Sequence, residues 1–292
     1  MRAVLILNPG AGRSRPWINR ENVERLLARY GLDWEIWVSE KPGDGTTLAR
    51  RAVARGYDTI IAGGGDGTIN EVVCGMVGSS AALGILPLGT VNVLARDLRI
   101  PLNLGKAVKV ILERNIMLMD LGCANGRYFT LMAGFGFDAE VVARVVRPLK
   151  DMTGATAYVL KGLEMLAKYE ATEMTIEMPE KRYRGKAYLV VVANSPDYTY
   201  RLKVAPYARH DDGLLDVLVF EQPMTKRLGF IRQIIEVFIQ RHVFRKDVQY
   251  YRASSVMVRS DPPAMVQLDG DPFGTTPVAI SVAPRILPVI VS

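Results

Sequence analysis

Thr59-Ile60-Ile61-Ala62-Gly63-Gly64-Gly65-Asp66-Gly67-Thr68 runs from a short apolar strand into a glycine turn, and a helical stretch from Ile69 to Met76 follows. A strand, a glycine turn and a helix start make an anion site. Glycines let the backbone approach phosphate oxygens, and the helix N-terminus offers free N–H groups and the positive end of its dipole. Asp66 is the exception in this loop, because a carboxylate repels a bare phosphate. It suits a hydroxyl donor or bound Mg2+. Capping of a helix by Asp66 and Thr68, with Asn70 and Glu71 as first-turn residues, is the plainer reading, but three adjacent glycines exceed what a cap requires.

The same rhythm extends outward. Ala3 to Leu7, Trp34 to Val38, Thr59 to Ala62 and Gly84 to Leu86 read as strands, while Arg20 to Tyr30 and Thr46 to Arg55 have helical spacing. Alternating elements of this kind predict βαβ units and a parallel sheet, whose ligands bind beyond the carboxyl ends of the strands. Two further loops fall at such ends. Pro87-Leu88-Gly89-Thr90-Val91-Asn92 follows the fourth strand and precedes a helical run through Leu98. Asn8-Pro9-Gly10-Ala11-Gly12 follows the first and leads to Arg13 and Arg15. Neither the Walker A pattern nor the dinucleotide Gly-x-Gly-x-x-Gly spacing is met.

Beyond about Met117 the pattern changes. Lys186 to Ala193, Leu214 to Phe220, Ser255 to Val258 and Pro277 to Val282 read as strands, with only two helical stretches, Ala155 to Tyr169 and Thr225 to His242. The expected architecture is an α/β nucleotide-binding domain with a mostly parallel sheet over residues 1–117 and a β-rich sandwich domain over 118–292, whose last strands can return to the first. A length of 292 residues suits two domains. An apolar share of 49% with 23% charged residues excludes disorder and fibrous classes. No run nears the ~20 apolar residues of a membrane span, and Cys74 and Cys123 read as reduced core thiols, so a cytoplasmic protein is expected. The net charge of +7 points to an anionic partner. Nucleic acid is not expected, since no zinc-finger, RNA-binding or helix-turn-helix signature accompanies the charge.

Gly64-Gly65-Asp66-Gly67-Thr68 with Asn70-Glu71, then Pro87-Leu88-Gly89-Thr90-x-Asn92 with Ala95-Arg96, resembles the diacylglycerol kinase catalytic-domain family, which includes bacterial soluble lipid kinases, sphingosine kinases and ceramide kinases. Asp211-Asp212-Gly213-Leu214-Leu215-Asp216 and Leu268-Asp269-Gly270-Asp271, followed by Thr275-Thr276-Pro277, resemble its later motifs. The resemblance implies an ATP-dependent kinase acting on a lipid hydroxyl. ATP would be held by Asn8, Pro9, Gly10, Ala11 and Gly12, by Ser39, by Gly64, Gly65, Asp66, Gly67, Thr68, Asn70 and Glu71, and by Gly89, Thr90 and Asn92. Asp269 and Asp271 would be the catalytic carboxylates, one of them the base, beside Mg2+. A structural Mg2+ would be bound by Asp212 and the carbonyls of Arg209 and Leu214. An Asp-Gly hairpin turn is the plainer reading of the Asp269 motif, and a turn before a strand that of the Asp212 motif.

The chain departs from the family at Asp271, where Glu is usual, and at Val93, where many bacterial members have Asp. The alternatives left open are an NAD kinase-like enzyme, favoured less by the Gly89 loop, and a regulator without catalysis. Thr225 to His242 reads either as a membrane-surface helix or as one packed on the β domain with a basic outer face. Arg144, Arg147, Lys150 and Lys161 form a second basic stretch. Peripheral contact with the anionic inner membrane face is thus one expected partnership, and homodimerisation stays open.

Overall fold

The computed structural model describes residues 2–11, 20–32, 34–145, 165–166, 168–199 and 202–292. Two compact units emerge, one formed by Met1–Leu121 with Ala283–Ser292 and the other by Gly122–Val282.

In the first unit, β1 (Ala3–Leu7), β2 (Glu35–Val38), β3 (Thr59–Gly64) and β4 (Ala82–Pro87) alternate with α1 (Arg20–Ala28), α2 (Asp44–Ala54), α3 (Asp66–Met76), α4 (Val93–Asp97) and α5 (Leu104–Glu113). The end of the last strand, β17 (Val278–Val291), adds to β4 through Val289 and Leu83. The sheet order is β2-β1-β3-β4-β17, and every pairing is parallel. Each residue of β1, β3 and β4 is buried. A sheet covered on both faces produces such unbroken apolar strands, and all four of these βα loops therefore leave from one edge.

The second unit is antiparallel. β5 (Asn115–Ala124) begins in the first unit, and its end, from Gly122, leads into β6 (Arg127–Phe129), β7 (Met132–Gly136) and α6 (Phe137–Val145). Then come β8 (Thr172–Glu177), β9 (Arg182–Ala193), β10 (Asp197–Thr199), β11 (Leu202–Lys203), β12 (Leu215–Glu221), α7 (Arg227–Phe238), β13 (Val248–Ala253), β14 (Ser255–Asp261), β15 (Met265–Leu268) and β16 (Asp271–Thr275). The long β9 serves two neighbourhoods. Residues 182–187 pair with β8, and residues 189–193 lie between β7 and β12. Alternate residues such as Phe135, Ile176, Val190, Val217, Val258 and Val266 meet in the sandwich core. On the other side of β9, Tyr188 stacks on Phe230 of α7 at 4.7 Å, and Phe137 of α6 meets Phe230 edge-on at 5.6 Å.

The expectation of only two helical stretches in this half is corrected by α6. Its apolar residues continue the run of β7 without a break, which hides the change of period. The Ala155 to Tyr169 stretch lies almost wholly outside the described residues, as do Arg147, Lys150 and Lys161.

Candidate active site

In the first unit the sequence motifs converge. The Asn8 N–H donates to the Gly63 carbonyl at 2.9 Å, and its Nδ2 donates to Thr68 Oγ1 at 3.0 Å. Asn8 Oδ1 accepts the Gly10 N–H at 2.9 Å, while Ser39, buried, donates its N–H to the Leu7 carbonyl at 2.8 Å. The N–H groups of Leu88 and Gly89 both reach the Gly64 carbonyl, at 2.9 and 3.2 Å. Loops after β1, β2, β3 and β4 are thereby joined into one rim holding Asn8, Pro9, Gly10, Ala11, Ser39, Gly64 to Thr68 and Gly89 to Asn92. Gly12 lies outside the described residues, with Arg13 and Arg15.

The glycines of the rim answer to sterics. A Cβ on Gly89 would sit 2.5 Å from the Gly65 Cα and 2.7 Å from Asn92 Oδ1, so two backbones pass where no side chain fits. Asn92 adopts a left-handed conformation, φ 53°, and donates Nδ2 to the Gly89 carbonyl at 2.8 Å. Its Oδ1 is buried with no hydrogen-bond partner among the described residues. An orphaned buried acceptor suits a ligand's donor. With the leading N–H groups of α3 beside it, the rim fits a phosphorylated ligand.

Asp66 and Glu71 hold this frame. Asp66 Oδ1 accepts the Leu94 N–H at 3.1 Å, capping α4 in place of Asn92, whose left-handed backbone makes no side-chain cap. Burial pushes the Asp66 carboxyl above its ordinary value, opposed by the N–H groups of Val93 and Leu94. Glu71 accepts from the N–H groups of Gly43 and Gly45, at 2.8 and 3.0 Å, and so pins the start of α2. Its neighbour Asn70 is buried, and Thr90 is exposed.

In the second unit, Asp269 and Gly270 occupy the two-residue turn of the β15–β16 hairpin, both with positive φ, 48° and 84°. This is the Asp-Gly hairpin geometry. The Asp269 carboxylate is nonetheless fully engaged. It accepts the Thr130 N–H at 2.7 Å, the Thr130 hydroxyl at 2.9 Å, and the N–H groups of Leu131 and Met132, both at 2.9 Å. Burial raises this carboxyl above its ordinary value, and the donors of Thr130, Met132 and Leu131 work against that rise. Asp271, the first residue of β16, is different: its side chain is 61% exposed and has Arg127 Nη2 at 3.7 Å.

Sequence reasoning missed the support beneath this turn. Gln267 Oε1 accepts the Gly270 N–H at 2.7 Å, and Gln267 Nε2 donates to Asp138 Oδ2 at 3.1 Å. The Tyr198 hydroxyl adds a 3.4 Å contact to the same oxygen. A Cβ on Gly134 would collide with Asp138 and Gln267, so that glycine makes room for the pair. Burial pushes Asp138 up to about 6, opposed first by its hydrogen bond from Gln267. Asp138, one of two carboxylates with Glu140 in the otherwise apolar run Met132 to Val142, was the available signal.

The Asp212 loop does not fit a cation as it stands. Asp212 Oδ1 accepts the Leu214 N–H at 3.1 Å, and Oδ2 is paired with the Arg252 guanidinium. Arg252 also approaches Asp216 at 3.7 Å, and the Tyr250 hydroxyl donates to Asp216 at 2.6 Å. Arg209 pairs with Asp211 at 3.1 Å. A divalent ion at Asp212 would have to displace a guanidinium. Among the described residues, no group of three or more His, Cys, Asp or Glu side chains is placed to hold a metal.

An α/β unit with glycine loops at the ends of parallel strands, joined to an antiparallel sandwich with an acidic hairpin, defines a kinase-type protein of two domains. The chain belongs to the diacylglycerol kinase family. Residues 2–124 match the family described as "Diacylglycerol kinase catalytic domain", and residues 132–291 match "YegS C-terminal NAD kinase beta sandwich-like domain". The diacylglycerol kinase of Staphylococcus saprophyticus is 33% identical over 278 residues, covering 94% of this chain and 90% of that one. That of Staphylococcus aureus strain MRSA252 is 33% identical over 280 residues, covering 94% and 88%. A crystal structure of a candidate diacylglycerol kinase from Bacillus anthracis str. Sterne superposes with a TM-score of 0.83 at 26% identity, covering 100% of this chain and 95% of that one.

Proposed function

We propose that the chain is an ATP-dependent lipid kinase that transfers the γ-phosphate to a hydroxyl of a diacylglycerol-like lipid. The observation that carries this reading is the rim of four hydrogen-bonded loops around the Gly65–Gly89 contact, with the unpartnered Asn92 Oδ1 beside it. Asn8 to Ala11, Ser39, Gly64 to Thr68 and Gly89 to Asn92 then surround the nucleotide, while Asp66 and Glu71 keep their loops in register. Mg2+ enters as part of the MgATP substrate, and it neutralises charge on the phosphates.

Between the two acidic candidates, accessibility favours Asp271. All four acceptor positions of Asp269 are taken, so it holds the Thr130–Met132 turn. Asp271 takes the proton of the lipid hydroxyl as that oxygen bonds to the γ-phosphorus. The bond from γ-phosphorus to the bridging oxygen breaks, and its electron pair leaves with ADP. Such an acceptor resides in a bilayer, so peripheral contact with the anionic inner membrane face belongs to this reading. The family assignment of the relatives supports it.

The test is transfer from labelled ATP with Mg2+ to diacylglycerol, monoacylglycerol, sphingosine, ceramide, polyprenol and NAD. Label on a lipid with a free hydroxyl, lost in Asp271→Ala, supports the proposal. Label on NAD alone would replace it.

A further inference from the structure

We infer that the outer face of α7, with the turn that follows it, docks the protein on an anionic phospholipid bilayer. The inference deepens the lipid-kinase reading and rests on it for its biological sense, though not for its physics.

The inner face of α7 is fixed. Gly229, Phe230, Gln233 and Val237 are buried, with Phe230 stacked on Tyr188 at 4.7 Å. Gln233 Nε2 donates to the carbonyls of Glu221 and Asp247, at 3.1 and 3.0 Å. The opposite stripe has no such cover. Leu228 is 75% exposed and Phe238 64%, with Ile235 and Ile239 also exposed at the same helical spacing. Past the helix, His242 is buried, its Nε2 donating to the Val204 carbonyl at 2.7 Å and its ring stacking on Phe220, and it anchors a turn whose Phe244 is 79% exposed. A contiguous exposed apolar surface on a well-held helix marks an interface.

Charge selects the occupant. Residues 224–247 carry six Lys and Arg against two Asp and Glu, a net +4 out of +7 for the whole chain. Arg232 is paired with Glu236, and Arg245 with Glu236 and Asp247. Lys226, Arg241 and Lys246 are exposed and have no ion-pair partner among the described residues. A groove of about 760 Å³ runs between the helix and the turn, with Met224, Ile239 and Phe244 beside Arg241 and Lys246 and beside the ion-paired Arg232, Glu236, Arg245 and Asp247. Apolar side chains flanked by unneutralised cations match the boundary between acyl chains and anionic headgroups. A second copy of this chain would bring +4 against +4 in a two-fold contact, which disfavours self-association through this face.

The experiment is sedimentation of the full chain, without ATP, on phosphatidylcholine vesicles with and without phosphatidylglycerol, at low and high salt. Wild type is expected to bind the phosphatidylglycerol vesicles in a salt-sensitive way. Arg241→Glu with Lys246→Glu, and separately Phe238→Ser with Phe244→Ser, should each lower the bound fraction about tenfold or more, with melting unchanged because these side chains are exposed. Phosphorylation of vesicle-borne lipid should fall in parallel, while phosphorylation of a dispersed short-chain acceptor stays at the wild-type rate. Variants that bind as wild type overturn the inference. So does a wild-type dimer, seen by analytical ultracentrifugation, that the Phe238 and Phe244 substitutions split. Vesicle binding through this face with no transfer to any lipid would sink the kinase reading alone, and transfer without such binding would sink the docking surface alone.

Discussion

Asp269→Asn and Asp271→Asn separate the structural carboxylate from the chemical one. Asp269 receives four donors, three of them backbone N–H groups between 2.7 and 2.9 Å. Asparagine keeps one oxygen and turns the other into a donor. With its NH2 toward Thr130, the hydroxyl can rotate to accept, but the Thr130 N–H faces a donor. In the other orientation the Leu131 and Met132 N–H groups both do. An orphaned buried N–H costs about 1–3 kcal/mol, and the surviving bonds lose their charge assistance. The expected loss is about 2–4 kcal/mol, or a drop on the order of 8 °C in the melting temperature of the second unit. Asp271 is exposed and its Arg127 neighbour is at 3.7 Å, so Asp271→Asn should melt with wild type while losing phosphoryl transfer. Calorimetry and labelled-ATP transfer read the two effects. An Asp269→Asn protein as stable as wild type, or an Asp271→Asn protein with wild-type turnover, would refute the division of labour.

Other perturbations test other parts of the frame. Gly89→Ala places a Cβ 2.5 Å from the Gly65 Cα, which should spread the two loops and weaken titrated ATP binding by about tenfold, a typical overpacking cost; unchanged affinity would show that the contact is not needed. Asp138, raised to about 6 from 3.8, takes up a proton on folding, so its share of stability is full below pH 3.8 and is lost as pH rises through 6. Asp138→Asn should therefore flatten the fall in stability across that window, worth about 3 kcal/mol for a shift of this size, leaving the similar contribution of Asp216, also raised to about 6 by burial. An unchanged slope in pH-dependent denaturation would contradict the assignment. Chelator should leave the wild-type melting temperature unmoved, whereas Arg252→Gln, which leaves Asp212 and Asp216 without their cation, should lower it and then recover with added Mg2+; a wild-type melt that falls on chelation would restore the metal at Asp212.

The first unit was legible because its signals are local. Buried parallel strands appear as apolar runs, and the glycine loops follow each one directly. The roles within the loops were not legible, because they depend on partners distant in the chain. Asp66 looked like a ligand or its own helix's cap, yet it caps α4, 28 residues further on. Glu71 pins a loop 26 to 28 residues before it. The Asp-Gly hairpin was visible as a turn, but the four donors that occupy Asp269 come from 137 to 139 residues upstream. Arg252, 40 residues beyond Asp212, likewise leaves no mark in the local motif that resembles a metal loop. α6 was lost because strand and helix share one apolar run.

The most direct test of the central claim is transfer of the γ-phosphate from labelled ATP to diacylglycerol in mixed micelles, comparing wild type with the folded Asp271→Ala protein. Wild type should yield labelled phosphatidic acid, and the variant none above background. Bound ATP with no transfer by wild type to any hydroxyl-bearing lipid, or equal transfer by both proteins, would contradict it.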